Sequence, residues 1–156
     1  MGMRSHAHSF YLIPGSYRPP HKGHYDMIRH FISKANENDK IIVFISNPSD
    51  NRVRRTGSGN IISPQYVKSK FEKVFGKHKN ISFVISEKSP VTDCYEFGHK
   101  IDNGNVIFCC GNKNDDIKRF DSVKTYYLKK FPNINVSVEP FEVITNISSS
   151  SIRLRL

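Results

Sequence analysis

Carboxylates are scarce in this chain: 14 Asp and Glu stand against 24 Lys and Arg, a formal net charge of +10 at pH 7. Such a balance points to an anionic partner, whether nucleotide, nucleic acid or acidic surface; the plainer reading is a lysine-rich solvated face. Long apolar runs are missing too, and none approaches the roughly 20 residues that span a bilayer, so no membrane partner is expected. Met1–Ser9 is polar and has no signal-peptide core, which predicts a cytoplasmic protein. Cysteine is limited to Cys94, Cys109 and Cys110, without Cys-x-x-Cys spacing, and the expectation is three reduced thiols. No internal repeat and no interdomain linker is evident. The Asn-x-Ser patterns at Asn80, Asn135 and Asn146 are read as chance in an Asn-rich chain.

What is present is a globular composition, 37% hydrophobic and 24% charged, in 156 residues. That length suits one domain, residues 1–156, with 1–8 as a loose N-terminus. Short runs rich in Val, Ile and Phe recur at Ser9–Ile13, Lys40–Ser46, Ile81–Ile85, Asn105–Cys110 and Asn135–Glu139. Their near-continuous apolar character predicts strands buried on both faces, as in a parallel sheet. Helical patterns alternate with them. Gly23–Ala35 puts Met27, Ile28, Phe31 and Ile32 on one face. Ser63–Phe75 opens with a Ser-Pro start and repeats Val67, Phe71, Val74 and Phe75. Asp121–Phe131 turns Val123, Tyr127 and Leu128 inward, and Cys94–Lys100 reads as a short helix. Together they predict an α/β, Rossmann-like, doubly wound five-stranded parallel sheet. Asn47–Asn60, which carries Arg52, Arg54 and Arg55, reads either as a disordered loop or as a mobile basic flap over an anionic substrate.

Two constellations carry chemistry. In Gly15-Ser16-Tyr17-Arg18-Pro19-Pro20-His21-Lys22-Gly23-His24, an apolar strand stops at Pro-Gly and a proline-braced turn leads into a helix. A helix start favours anions through its unpaired amides and positive dipole end. Imidazoles three residues apart share a face there and can donate to phosphate oxygens. Gly23 leaves no side chain between helix and ligand. A two-histidine metal site is the other reading of the spacing, but no third ligand stands nearby, and no metal site is predicted. His6 and His8 read as part of a frayed terminus. The second constellation is Ile147-Ser148-Ser149-Ser150-Ser151-Ile152-Arg153, which reads as a polar tail or as a second helix-start anion site with a guanidinium.

The first segment resembles the His-x-Gly-His signature of the nucleotidyltransferase superfamily, and the second resembles its Ile-Ser-Ser-(Ser/Thr)-x-Ile-Arg signature. They stand in the right order at opposite ends of one Rossmann-sized stretch. The resemblance implies transfer of a nucleotidyl group from a nucleoside triphosphate to a small phosphorylated acceptor, with Mg²⁺ present and pyrophosphate released. It implies catalytic roles for His21, His24 and Arg153. Gly15, Ser16, Tyr17, Gly23, Ser148, Ser149 and Ser150 would bind the nucleotide. Gly111, Asp115 and Asp116 would touch the nucleoside in the loop after the fourth strand, one of the aspartates serving instead as an N-cap. Arg18, Arg52, Arg54 and Arg55 are candidates for acceptor or phosphate contacts, and Ser89–Asp93 lies where acceptor contacts are expected.

The Ile-Arg ending resembles nicotinamide-nucleotide adenylyltransferases most, which makes ATP the expected donor and a nicotinamide mononucleotide-like molecule the expected acceptor. The Pro-Gly-Ser opening resembles phosphopantetheine adenylyltransferases. Cytidylyltransferases come third, since their second motif more often carries threonines. Arg18 stands where bacterial adenylyltransferases of both kinds usually have an aspartate, and the chain stops three residues after Arg153 where the family normally continues a helix. The rival expectation is a non-catalytic relative that binds nucleotide or nucleic acid. Homo-oligomerisation stays open.

Overall fold

The structure is a computed structural model that describes residues 8–17, 19–47, 54–55, 61–111, 117–118 and 120–141, with only the backbone at 54, 55 and 61. In chain order the described elements are β1 (Ser9–Gly15), α1 (Lys22–Lys34), β2 (Lys40–Ile45), β3 (Arg54–Arg55), β4 (Ile61–Ile62), α2 (Pro64–Phe75), β5 (Ile81–Ile85), α3 (Pro90–Glu96), a 3-10 turn (Phe97–Lys100), β6 (Gly104–Gly111), α4 (Val123–Lys130) and β7 (Ile134–Phe141). Five strands form one parallel sheet in the order β5-β2-β1-β6-β7, so the chain winds outward from β1 in one direction and then returns to wind in the other. The doubly wound α/β architecture predicted from strand-helix alternation is the one observed.

Period-two alternation divides the strand residues between two cores. Tyr11, Ile13, Ile41, Val43, Ile45 and Phe83 face α1 and α2, which answer with Met27, Ile28, Phe31, Val67, Phe71 and Phe75. Leu12, Phe44, Val106, Phe108 and Cys110 face α3 and α4, meeting Cys94, Val123 and Tyr127. Covering both faces is what allows these strands to be apolar almost throughout. All three cysteines are buried, and burial pushes the Cys94 and Cys109 thiols well up, so neither is a ready nucleophile.

Several expectations are corrected. The helix expected over Cys94–Lys100 starts at Pro90, and Phe97–Lys100 is its 3-10 continuation. The reason lies in the start: Ser89 Oγ accepts from Thr92 N at 3.0 Å with Pro90 in the first turn, as Ser63 Oγ accepts from Tyr66 N at 3.1 Å ahead of Pro64. Leu128 points outward at 72% exposure, because α4 presents only a narrow stripe, led by Val123 and Tyr127, to the sheet. Val74 is likewise on an exposed flank of α2. Within the stretch read as loop or flap, Arg54–Arg55 pair antiparallel with Ile61–Ile62, a ladder too short to show a strand period.

Tyr127 is fully buried, and its hydroxyl donates to the Cys94 carbonyl at 2.7 Å, joining α4 to the end of α3. Burial drives its phenol pKa upward, so it stays a donor. Tyr127→Phe is expected to lower stability by about 1 kcal/mol, read from urea unfolding, and to leave the sheet's carboxyl rim unaltered.

Candidate active site at the sheet switch point

The strand order reverses between β1 and β6, and there the two strands part. Pairing of β1 with β6 ends at Leu12–Phe108. Beyond it β1 stays paired with β2 as far as Gly15–Ile45, and β6 stays paired with β7 as far as Gly111–Phe141. The sequence supplies a cause. The Gly15 carbonyl accepts from Ser46 N at 2.9 Å and so faces β2; the neighbouring backbone position, which faces β6, is Pro14, which has no N–H to give. In open α/β sheets a switch point of this kind marks the crevice at the carboxyl ends of the strands where ligands bind. Gly15 and Gly111 end the two strands that border it.

From Gly15 the chain turns through Ser16 and Tyr17 into α1. Tyr17 has a positive φ of 55°, the left-handed region that costs a tyrosine backbone strain. Its ring compensates by being almost wholly buried, edge-on to His24 at 4.8 Å and to Phe71 at 5.1 Å, with its hydroxyl donating to the Ile13 carbonyl at 3.3 Å. The ring lies against Gly15, where a Cβ would stand 2.5 Å from Tyr17 Cζ. Gly15 is thus required by the tyrosine behind the turn, and the Tyr17 side chain belongs to the core, leaving the backbone of the turn as its contribution to a site.

His21 is the N-cap of α1, and His24 is the third residue of the helix. Gly23 N–H donates to His21 Nδ1 at 3.1 Å, and His21 N–H donates to His24 Nδ1 at 3.1 Å. This is a capping box in which both side chains are imidazoles. An Nδ1 that accepts carries no proton, so in the neutral ring the proton sits on Nε2 and makes it a donor. The rings stack with centroids 3.7 Å apart and an interplanar angle of 23°. No acidic residue occupies the first turn, so nothing there neutralises the positive end of the helix. Lys22 is turned toward Asp26 at 2.7 Å, and Arg29 lies 3.5 Å from the same carboxylate. The arrangement sets two imidazoles, each with its Nδ1 engaged by the backbone, at a helix start, a place that favours an anion.

Residues 12–155 match the cytidylyltransferase-like family. The chain belongs to that family. Membership indicates a nucleotidyltransferase acting on a nucleoside triphosphate. A search among curated proteins finds no match.

As in other folds of this class, the cytidylyltransferase-like chain gathers its residues at the strand ends. The structure brings Gly15, Ser16, Tyr17, His21, Gly23 and His24 together around the turn into α1, with Gly111 ending the strand on the other side of the crevice. Arg18, Arg52, Asp115, Asp116, Ser148, Ser149, Ser150 and Arg153 lie outside the described residues, as do the side chains of Arg54 and Arg55. Among the described residues no group of three His, Cys, Asp or Glu could hold a metal ion, and no helix is long and apolar enough to cross a membrane. Ser89–Asp93, expected near the acceptor, form the cap and first turn of α3. Two rim residues escaped notice in the sequence: Ser46 and Ser86, which directly follow β2 and β5 as Ser16 follows β1. A serine after each of three successive apolar runs was the available signal.

Gly15→Ala is expected to destabilise the chain by about 1–3 kcal/mol through overpacking against the Tyr17 ring. Because that ring abuts His24, nucleotide affinity should fall as well. Thermal unfolding with and without nucleotide measures both, and an unchanged melting temperature would contradict the packing argument.

Proposed function

We propose that this chain is an adenylyltransferase that moves AMP from ATP to a small phosphate-bearing acceptor, nicotinamide mononucleotide-like, and releases pyrophosphate. An acceptor phosphate oxygen attacks the α-phosphorus in line, the bond from that phosphorus to the oxygen bridging to the β-phosphate breaks, and the electron pair leaves with pyrophosphate. No covalent intermediate on the protein is involved. The chain contributes positioning and charge stabilisation.

The observation that carries this reading is the reciprocal cap, in which the backbone takes up Nδ1 of both His21 and His24 and so puts the proton of each neutral ring on Nε2, at a positive helix end beside the switch point. Such donors suit the charge that builds on phosphoryl oxygens. Ser148, Ser149, Ser150 and Arg153 are assigned to the β- and γ-phosphates on their resemblance to the superfamily's second signature. The same resemblance supports Asp115 or Asp116 at the nucleoside, and Arg18, Arg52, Arg54 and Arg55 at phosphates. The described residues of the site offer imidazoles and amides but no carboxylate, a donor set that does not fit a protein-held Mg²⁺. The ion is assigned to the triphosphate it accompanies. The buried thiols fit a cytoplasmic setting. A second reading, CTP as donor, is favoured by the family description.

Pyrophosphate release should be measured with ATP and with CTP against nicotinamide mononucleotide, phosphopantetheine and glycerol 3-phosphate. Release with ATP and nicotinamide mononucleotide is expected, and silence with every pair would sink the reading. His21→Asn keeps a good N-cap but loses the Nε2 donor. It should retain stability to within about 1 kcal/mol and lose roughly 100-fold or more in turnover. Equal losses of folding and activity would assign His21 to structure alone.

A further inference from the structure

α2 buries Pro64, Val67, Phe71 and Phe75 against the sheet. Away from that stripe, Tyr66, Lys70, Lys73 and Lys77 stand four, three and four residues apart. At about 100° per residue this spacing holds all four within an arc of roughly 60°. Lys77 keeps the register because the chain goes on turning past the helix end. Gly76 has right-handed helical angles and donates to the Glu72 carbonyl at 2.9 Å, and His78 N–H donates to the Phe75 carbonyl at 3.0 Å. The four positions make a row on the order of 16 Å long. His78 and Lys79, both exposed, follow at its basic end.

Like charges three and four residues apart on a helix repel, so the row works against the stability of α2. Among the described residues Lys70, Lys73 and Lys77 form no ion pair, whereas Lys22 and Arg29 on α1 share Asp26. Glu72, the one acid of α2, lies about 100° or more round the helix from every member of the row. At the head of the row Tyr66 is 40% exposed, with Lys70 Nζ 5.5 Å from its ring centroid. An exposed ring beside a line of ammonium groups is the combination that holds a single nucleic-acid strand: a base stacks on the ring while the phosphates track the charges. A small anion is too short to meet the whole row. An anionic membrane calls for apolar side chains to insert, but α2 keeps its large ones inside, and Val74 is its one exposed aliphatic residue.

We infer that the outer face of α2 binds single-stranded nucleic acid, with Tyr66 stacking on a base and Lys70, Lys73 and Lys77 neutralising phosphates of one strand. The surface is separate from His21 and His24, which belong to the start of α1, and it does not depend on which nucleotide is transferred there. The net charge of +10 draws a polyanion to the chain from a distance, and the row decides where it sits. RNA and DNA offer this row the same bases and phosphates; the 2′-hydroxyl is what tells them apart.

Fluorescence anisotropy of the full chain with labelled single strands of about 12 nucleotides, RNA and DNA in parallel, tests the assignment. Binding should fall with salt and should favour the single strand over a duplex of the same sequence. Lys70→Gln, Lys73→Gln and Lys77→Gln combined should weaken it about tenfold or more and flatten the slope of log affinity against log salt by about 2, since each phosphate contact on a single strand contributes roughly 0.7. The melting temperature of that variant should hold or rise, because a repulsion is removed. Tyr66→Ala should weaken binding about fivefold or more and leave the slope unchanged. The same charge loss on α4, Lys124→Gln with Lys129→Gln and Lys130→Gln, should leave binding nearly unchanged. Equal losses in the two triple variants would reduce the attraction to net charge and overturn the inference. So would no binding of either strand, tighter binding of the duplex or of phosphatidylserine vesicles, or displacement by ATP at constant ionic strength, which would put the strand at the histidine pair. Binding of RNA alone or of DNA alone supports the inference and names the nucleic acid.

Discussion

Gly23 N–H donates to His21 Nδ1 and His21 N–H donates to His24 Nδ1, so each imidazole is engaged as an acceptor by the backbone that begins α1. The consequences run in two directions. Toward folding, the pair satisfies helix-start amides that would otherwise need water or another cap. Toward chemistry, it fixes which ring nitrogen carries the proton, in rings stacked 3.7 Å apart. Protonating either ring would set Nδ1–H against a backbone N–H and undo the cap. The same two side chains therefore link the helix geometry to the ability to bind an anion.

The cap works only because the turn before it is held. Tyr17 sits in a left-handed conformation, and its ring wedges between Gly15, His24 and Phe71. That wedge fixes the distance from the end of β1 to the start of α1. Pro14 completes the arrangement by withholding a ladder bond from β6, so the crevice forms on the side of β1 opposite β2. A proline, a glycine, a strained tyrosine and two histidines in an unbroken stretch of chain thus build half of a site from local rules.

Much of this was legible in the residues. Continuous apolar runs such as Ile41–Ile45 fixed the sheet class, and the Pro-Gly stop with His-x-Gly-His located the helix start and its anion preference. Less legible were features that depend on register. The parting of β1 and β6 needs the pairing of Leu12 with Phe108 to be known, and the serine row at Ser46 and Ser86 becomes a row only when Gly15, Ile45 and Ile85 align. The Tyr17 ring looked like part of a phosphate turn, because nothing local reveals that it points inward. Ser89–Pro90 repeats the start seen at Ser63–Pro64, yet the helix was expected only from Cys94, because the apolar stripe of this short element is weak before that residue. Leu128 failed for a different reason: Val123 and Tyr127 already fill the stripe that α4 turns toward the sheet.

The backbone holds both site histidines in one tautomer. Long-range ¹⁵N–¹H correlation spectra of the imidazoles at neutral pH test it most directly. His21 and His24 should both show the pattern of a proton on Nε2 with Nδ1 accepting. A proton on Nδ1 of either ring, or rapid averaging between tautomers, would contradict it.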